Sequence, residues 1–224
     1  MELRMEKADI RAVLHRQLLS FFPLDEDEIE LIDAFLEEAL ARCGRCFSKV
    51  RNKYYNHGGV TRFDPLHGCQ WAAFLYFLSN SIYHAGGGSY AICDKVYATA
   101  KAMSSADLFY QVELPDVFTF DHPLGSVMGR ASYSNYFSFG QGCTVGNNKG
   151  IYPSFGESVF MLSDSKVIGD CKIGSDVIVS AGAYVKGVDI PSGSIVFGQS
   201  PNLVVKTGKC DYVREHAEKV FRYE

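Results

Sequence analysis

From Phe118 onward, apolar residues return every six positions. Val127, Tyr133, Phe139 and Val145 keep that step. After one longer interval it resumes at Phe155, Met161, Val167, Ile173, Val179 and Val185, and a five-residue step leads to Ile190 and Val196. Four places after most of these stands another small or apolar residue: Ala131, Phe137, Cys143, Val159, Ser165, Cys171, Val177 and Ala183. A period of six matches neither a helix nor an alternating strand. It fits a solenoid with three short flat sides per coil, a parallel β-helix. The aliphatic residue then points into a narrow core, and the fourth residue after it points inward near a corner. An irregular β-sandwich would instead give turn signals about every 8–12 residues, and the phase would drift. The long interval, "VGNNKGIYPSF", predicts an extra loop at one corner. It lacks the Gly-x-x-x-x-Gly-Lys-Ser/Thr pattern and the following helix of a phosphate-binding loop.

The first half has a different period. Ile10, Val13, Leu14 and Leu18 fall on one helical face, and Pro23 ends that helix. Asp25 with Glu28 reads as a capping box opening a second helix, whose stripe is Ile29, Ile32, Phe35, Leu36 and Leu40. "NHGGVTRFD" reads as a polar loop. Two more helices are expected over 65–84 and, after the turn "HAGGG", over 89–103. The expected fold is α+β: a helical domain over 1–105, a β-helix over 106–206, and a helical tail over 207–224.

With 224 residues, 47% of them apolar, a core forms without disulfide or metal. A net charge of −4 argues against nucleic acid. No apolar run reaches the roughly 18 residues of a membrane span. The charged start has no signal-peptide core, so a cytoplasmic location is expected. Seven cysteines, an odd number, fit reduced thiols. Cys43 and Cys46 form "CGRC", but no second pair follows to complete a zinc site, and the pair closes a helical run. No metal is expected.

The candidate chemistry lies in "FTFDHPLGSVMG", Phe118 to Gly129. His122 suits a general base, because its ordinary pKa of about 6.5 lets it take a proton near neutrality. Asp107 stands fifteen positions earlier, close to one coil of about eighteen, so its carboxylate can lie near the imidazole and orient it. Asp121 is the sequence neighbour of His122, and neighbouring strand side chains face opposite ways. The alternative for His122 is a surface histidine at a coil corner. Cys143 occupies an inward position, which leaves it inert.

At these residues the chain resembles the hexapeptide acyltransferases, and among them the serine acetyltransferases. "DHPLGSVMG" resembles that family's Asp-His-x-x-Gly segment, "QGCTVGN" its next one, and "VSAGAYV" and "GQSPNLVVK" its closing stretches. The resemblance implies a left-handed β-helix, a homotrimer or dimer of trimers, and acetyl-CoA as co-substrate. It implies His122 as base, Asp107 as its orienter, and Asp121 and Tyr152 beside the acceptor. It places Gly146, Asn147 and Ser163, then Ala181, Gly182, Pro201 and Lys206, along the CoA. Two departures stand out. "GIYPSFG" has Ile151 and Tyr152 where the family has a basic residue and a histidine, so the acceptor is L-serine or, alternatively, a sugar or sugar nucleotide of a surface polysaccharide. The tail "FRYE" lacks the family's terminal isoleucine, so cysteine synthase is not an expected partner. A non-catalytic β-helix scaffold remains the reading outside enzymes.

Overall fold

The structure is a computed structural model that describes residues 1–86 and 90–223. The expected turn at Gly87 and Gly88 and the expected helix start at Ser89 lie outside the described residues. The chain forms two compact units, one of residues 1–48 and 52–111, the other of 49–51 and 112–224.

The first unit holds α1 (Lys7–Phe21), α2 (Glu26–Ser48), α3 (Gly68–His84) and α4 (Tyr90–Ser104). The capping box forms as read. Glu28 N donates to Asp25 Oδ1 at 2.8 Å, and Asp25 N donates to Glu28 Oε2 at 3.1 Å. Glu28 also receives Lys95 Nζ at 2.6 and 2.7 Å, which ties α2 to α4. α3 is buried without a break from Gln70 to Ile82, as befits a helix packed on every side. Cys43 and Cys46 are both buried in α2, and burial pushes the Cys43 thiol well up. One feature escaped the sequence pattern. Glu2–Leu3, Val60–Phe63 and Asn56–His57 make a three-stranded sheet where a helical start and a polar loop were expected. Strands of two to four residues are too short to display a period.

The second unit is the solenoid. Its first face stacks Phe118–Phe120, Phe137–Phe139, Val159–Met161 and Val177–Val179, then the start of Ser194–Gln199, all parallel. The second face stacks Val127–Met128, Thr144–Gly146, Lys166–Ile168 and Tyr184–Lys186. The third carries Ser132, Ser154–Phe155, Lys172–Ile173 and Ile190. Val159 pairs with Val177 and Val167 with Val185, eighteen residues on, which is three hexads. The predicted inward residues from Phe139 to Val196 are buried. Two earlier ones are not. Val127 is 39% exposed and Tyr133 half-buried, while Met128 at 2% takes the inward place. Val127 pairs with Thr144 only seventeen residues on, so that coil is one residue short and its phase slips by one.

The expected extra loop is a tight hairpin. Asn148 N and Ile151 N each donate to the other residue's carbonyl, at 3.0 and 3.1 Å. Lys149 and Gly150 between them have φ of 55° and 81°, the positive pair of a primed turn. Beyond the last coil, Asn202–Lys206 folds back antiparallel on Ser194–Gln199. α5 (Cys210–Val220) then packs over the first face, where the His216 ring meets Phe160 edge-on at 4.8 Å. Tyr223 Oη and Ser158 Oγ share a hydrogen bond of 2.9 Å. No described helix is long and apolar enough to cross a membrane.

Candidate active site

The corner between the first and second faces is built by backbone bonds that step from coil to coil. Asp121 N donates to Phe139 O, Gly142 N to Leu124 O, Asp164 N to Gln141 O and Gly182 N to Ser163 O. His122 stands at the head of this column, followed by Gln141, Ser163 and Ala181. Its backbone is left-handed, as at six other non-glycine residues among those described. A φ of 46° puts a non-glycine residue in the left-handed region, directly before Pro123. Such conformations cost free energy and collect at functional sites. Leu124 N donates to His122 O at 2.7 Å, closing the turn, and Gly125 follows at φ 72°. The turn lifts the imidazole off the solenoid, with 81% of the side chain exposed. Its Nε2 stands 3.7 Å from Asp121 Oδ1, too far for a hydrogen bond.

Asp107 belongs to the helical unit. Its Oδ1 accepts from Tyr97 Oη at 2.6 Å and its Oδ2 from Lys101 Nζ at 2.5 Å. Burial, then the bond to Asp107, pushes the Tyr97 phenol up. The same carboxylate raises Lys101. The sequence reading named neither Tyr97 nor Lys101. Their helical spacing puts both on one face of α4, but only the return of the chain after α4 aims Asp107 at them.

A second corner, at the far edge of the second face, carries Gly146, Asn147 and Tyr152. Asn147 Nδ2 donates to Tyr152 Oη at 3.3 Å. The ring lies against Gly129, where a Cβ would come within 3.0 Å of Tyr152 Cε1 and 2.6 Å of Val145 O. Only glycine fits there. Among the residues singled out in the sequence, Asp121, His122, Ser163, Ala181 and Gly182 therefore share one corner, and Gly146, Asn147 and Tyr152 share another. A strand of three residues, about 10 Å, separates them within one chain. Pro201 and Lys206 lie in the terminal hairpin. Cys143 is fully buried, its Sγ donating to Leu162 O at 3.2 Å. Among the described residues, no group of three or more His, Cys, Asp or Glu side chains could hold a metal ion.

A helical unit, a parallel β-solenoid of about five turns and a short terminal helix define a hexapeptide-repeat protein. No protein-family model matches the chain. A curated serine acetyltransferase of Staphylococcus aureus (strain Mu50 / ATCC 700699) is 25% identical over 169 residues, 66% of this chain and 69% of the relative. The crystal structure of serine acetyltransferase in complex with coenzyme A from Brucella abortus strain S19 superimposes with a TM-score of 0.67 at 21% identity, covering 88% of this chain and 82% of that one. The Neisseria gonorrhoeae serine acetyltransferase in complex with serine gives 0.66 at 20% identity, covering 87% and 83%. In sequence and in fold the chain is thus similar to serine acetyltransferases.

Proposed function

We propose that this chain is an acyltransferase that carries the acetyl group of acetyl-CoA to an acceptor hydroxyl, with His122 as general base. The observation that carries this reading is the His122 turn, an exposed imidazole held in a strained conformation at the head of the solenoid corner. The curated serine acetyltransferase and the coenzyme A-bound neighbour support the co-substrate. In the reaction, the imidazole takes the hydroxyl proton as the oxygen attacks the thioester carbon. When the tetrahedral intermediate collapses, the carbon–sulfur bond breaks. The imidazolium then protonates the leaving thiolate, giving an acetyl ester and free CoA thiol.

Asp107 is the proposed orienter of His122, and Tyr97 and Lys101 fix its carboxylate. Asp121 and Tyr152 are proposed to face the acceptor. Ser163, Ala181 and Gly182 would run beside the pantetheine arm, with Gly146 and Asn147 also along the CoA and Pro201 and Lys206 in the terminal hairpin. Because His122 and Tyr152 occupy different corners, we infer a homotrimer, or a dimer of trimers, in which one copy's His122 corner meets the Tyr152 corner of the next. A cytoplasmic location fits an acetyl-CoA-dependent enzyme. Tyr223 is bonded to Ser158, which supports a tail used in the solenoid's own packing rather than for holding cysteine synthase.

The acceptor is L-serine in the first reading. The Tyr152–Asn147 pair favours a second, a sugar or sugar nucleotide, because a phenol and an amide are neutral partners for hydroxyl groups. Thiol release from acetyl-CoA, measured with L-serine and with a panel of amino and deoxy sugar nucleotides, separates the two. His122→Ala is expected to lower kcat by about a hundredfold or more at unchanged oligomer size. Asp107→Asn is expected to lower kcat with little effect on KM. Full turnover in His122→Ala would sink His122 as the general base.

A further inference from the structure

We propose that the tail after the solenoid is a strap whose aromatic end positions the His122 strand, with Tyr136 and Tyr223 as positioning residues for the base. This rests on the His122 reading above and adds a control point at the opposite end of the same strand. The corner between the third and first faces carries one left-handed residue per coil. These are Tyr136, Ser158, Asp176 and Gly193, with φ of 65°, 58°, 56° and 66°. The tail meets every one of them. Lys209 N donates to Gly193 O at 2.7 Å, and Arg214 Nε donates to Asp176 Oδ2 at 3.2 Å. Tyr223 shares its hydrogen bond with Ser158, and its ring lies 4.3 Å from that of Tyr136. The eleven residues of α5 make about 16 Å of helix, against the roughly 14 Å that three coil steps cover. The tail thus runs back along the column from the last coil to the one that rests on the His122 strand.

The end of the tail is braced by backbone bonds. Phe221 is fully buried and forms an antiparallel bridge with Val50. Arg51 N donates to Val220 O and Arg222 N to Lys49 O, both at 2.7 Å. The Phe221 ring meets that of Tyr136 at 5.5 Å and 70°. Tyr136 in turn holds the start of the strand that carries the histidine. Its N–H donates to Val117 O at 2.8 Å, and the neighbouring Asn135 Oδ1 accepts from Val117 N at 3.0 Å. At the other end Asp121 N donates to Phe139 O at 3.2 Å, directly before His122. Among the described residues, Phe118–Phe120 is the last strand of its sheet and pairs with Phe137–Phe139 alone. A layer bonded on one side takes its position from the single coil above it. The tail fixes that coil at one corner, and His122 stands at the next.

The test reads amide exchange at Val117 and Asp121 beside steady-state kinetics in full-length variants. Tyr223 is 39% exposed, so truncating it leaves the core in place. Tyr223→Ala is expected to speed exchange at both amides up to about tenfold, the factor an aromatic pair is worth. It should also lower kcat about tenfold or more through misplacement of the imidazole, with KM for acetyl-CoA unchanged. Tyr136→Leu should do the same. Tyr223→Phe keeps the ring on Tyr136 and should keep kcat. Arg214→Ala breaks an exposed pair two coils away and should leave both readings as in wild type. Faster exchange at full kcat would overturn the positioning role, and unchanged exchange at Asp121 would overturn the strap. An equal kcat loss in Arg214→Ala, or a loss in Tyr223→Ala that follows a smaller oligomer, would also overturn it. Failure of the His122 reading looks different: full turnover in His122→Ala, seen without any change to the tail.

Discussion

The two units bury their cores in opposite ways. The helical unit is held by specific links between residues far apart in sequence. Trp71 Nε1 donates to Gln17 Oε1 at 2.7 Å, Arg42 reaches Asn80 Oδ1 at 2.7 Å and Ser81 Oγ at 2.9 Å, and Lys95 grips Glu28. In the solenoid nearly every contact is to the coil before or the coil after, through parallel ladders with a step near eighteen residues. A stacked core of that kind is one-dimensional, so each layer depends on its immediate neighbours. The polar links of the helical unit lack any such period. Damage should therefore spread along the column in one unit and act at single joints in the other.

The largest expected effect tests the column. Phe139 lies 5.1 Å from Phe120, a ring of the coil beneath, and is almost fully buried. Phe139→Ala should destabilise the solenoid by about 3–5 kcal/mol. The chain has a single tryptophan, Trp71, in the helical unit, so its fluorescence follows that unit alone. In urea, the strand signal in circular dichroism should shift to lower denaturant while the Trp71 transition stays in place. A joint shift would show that the contrast between the units is false.

A smaller effect tests a single joint. Glu28→Ala removes the reciprocal cap of α2 and leaves Lys95 without its carboxylate. Losing hydrogen bonds to a charged partner costs about 1.5–3 kcal/mol. The Trp71 transition should move by that amount, and Asp25→Ala, which removes only half of the cap, by about 1 kcal/mol. Equal losses in the two variants would show that the Lys95 link contributes nothing beyond the cap.

The smallest effect is a pH window on the tail. Burial, with Lys219 adding to it, lowers His216, so the neutral ring is the one that packs against Phe160. That stability is present above the unfolded value of about 6.5 and fades as pH falls below it. Burial pushes Tyr223 up to about 12. Its contribution is whole below the unfolded value of about 10 and is lost as pH rises through about 12. Hydrogen exchange of α5 amides should be slowest between these limits. His216→Phe should remove the acid limb and Tyr223→Phe the alkaline one. Identical acid limbs in wild type and His216→Phe would assign that limb to another group.

Much of the solenoid was legible because repetition multiplies a weak signal. Each hexad alone is a short apolar run, but runs of four and then six at one spacing exclude other periods. The misplacement of Val127 shows the limit, since one missing residue in a coil shifts the inward phase without marking the sequence. The strands at Glu2–Leu3, Asn56–His57 and Val60–Phe63 have no repeat to reveal them. At the site, Asp121, His122 and the small residues of the corner were visible as motif positions. Tyr97 and Lys101 were not, because each acquires its neighbours from a turn of the chain rather than from spacing.

By itself, the sequence determined the class of core, the three-sided coil, the capped second helix and the residue types available for the proposed acetyl transfer. Those properties follow from periodicity and from the pKa of an imidazole, which are local. Only the tertiary structure decided that His122 is lifted in a left-handed turn, that Asp107 is held between Tyr97 and Lys101, and that Tyr152 stands on a different corner from the histidine. Those are matters of which coil lies on which. A shift of one residue in register, invisible in composition, is enough to change them.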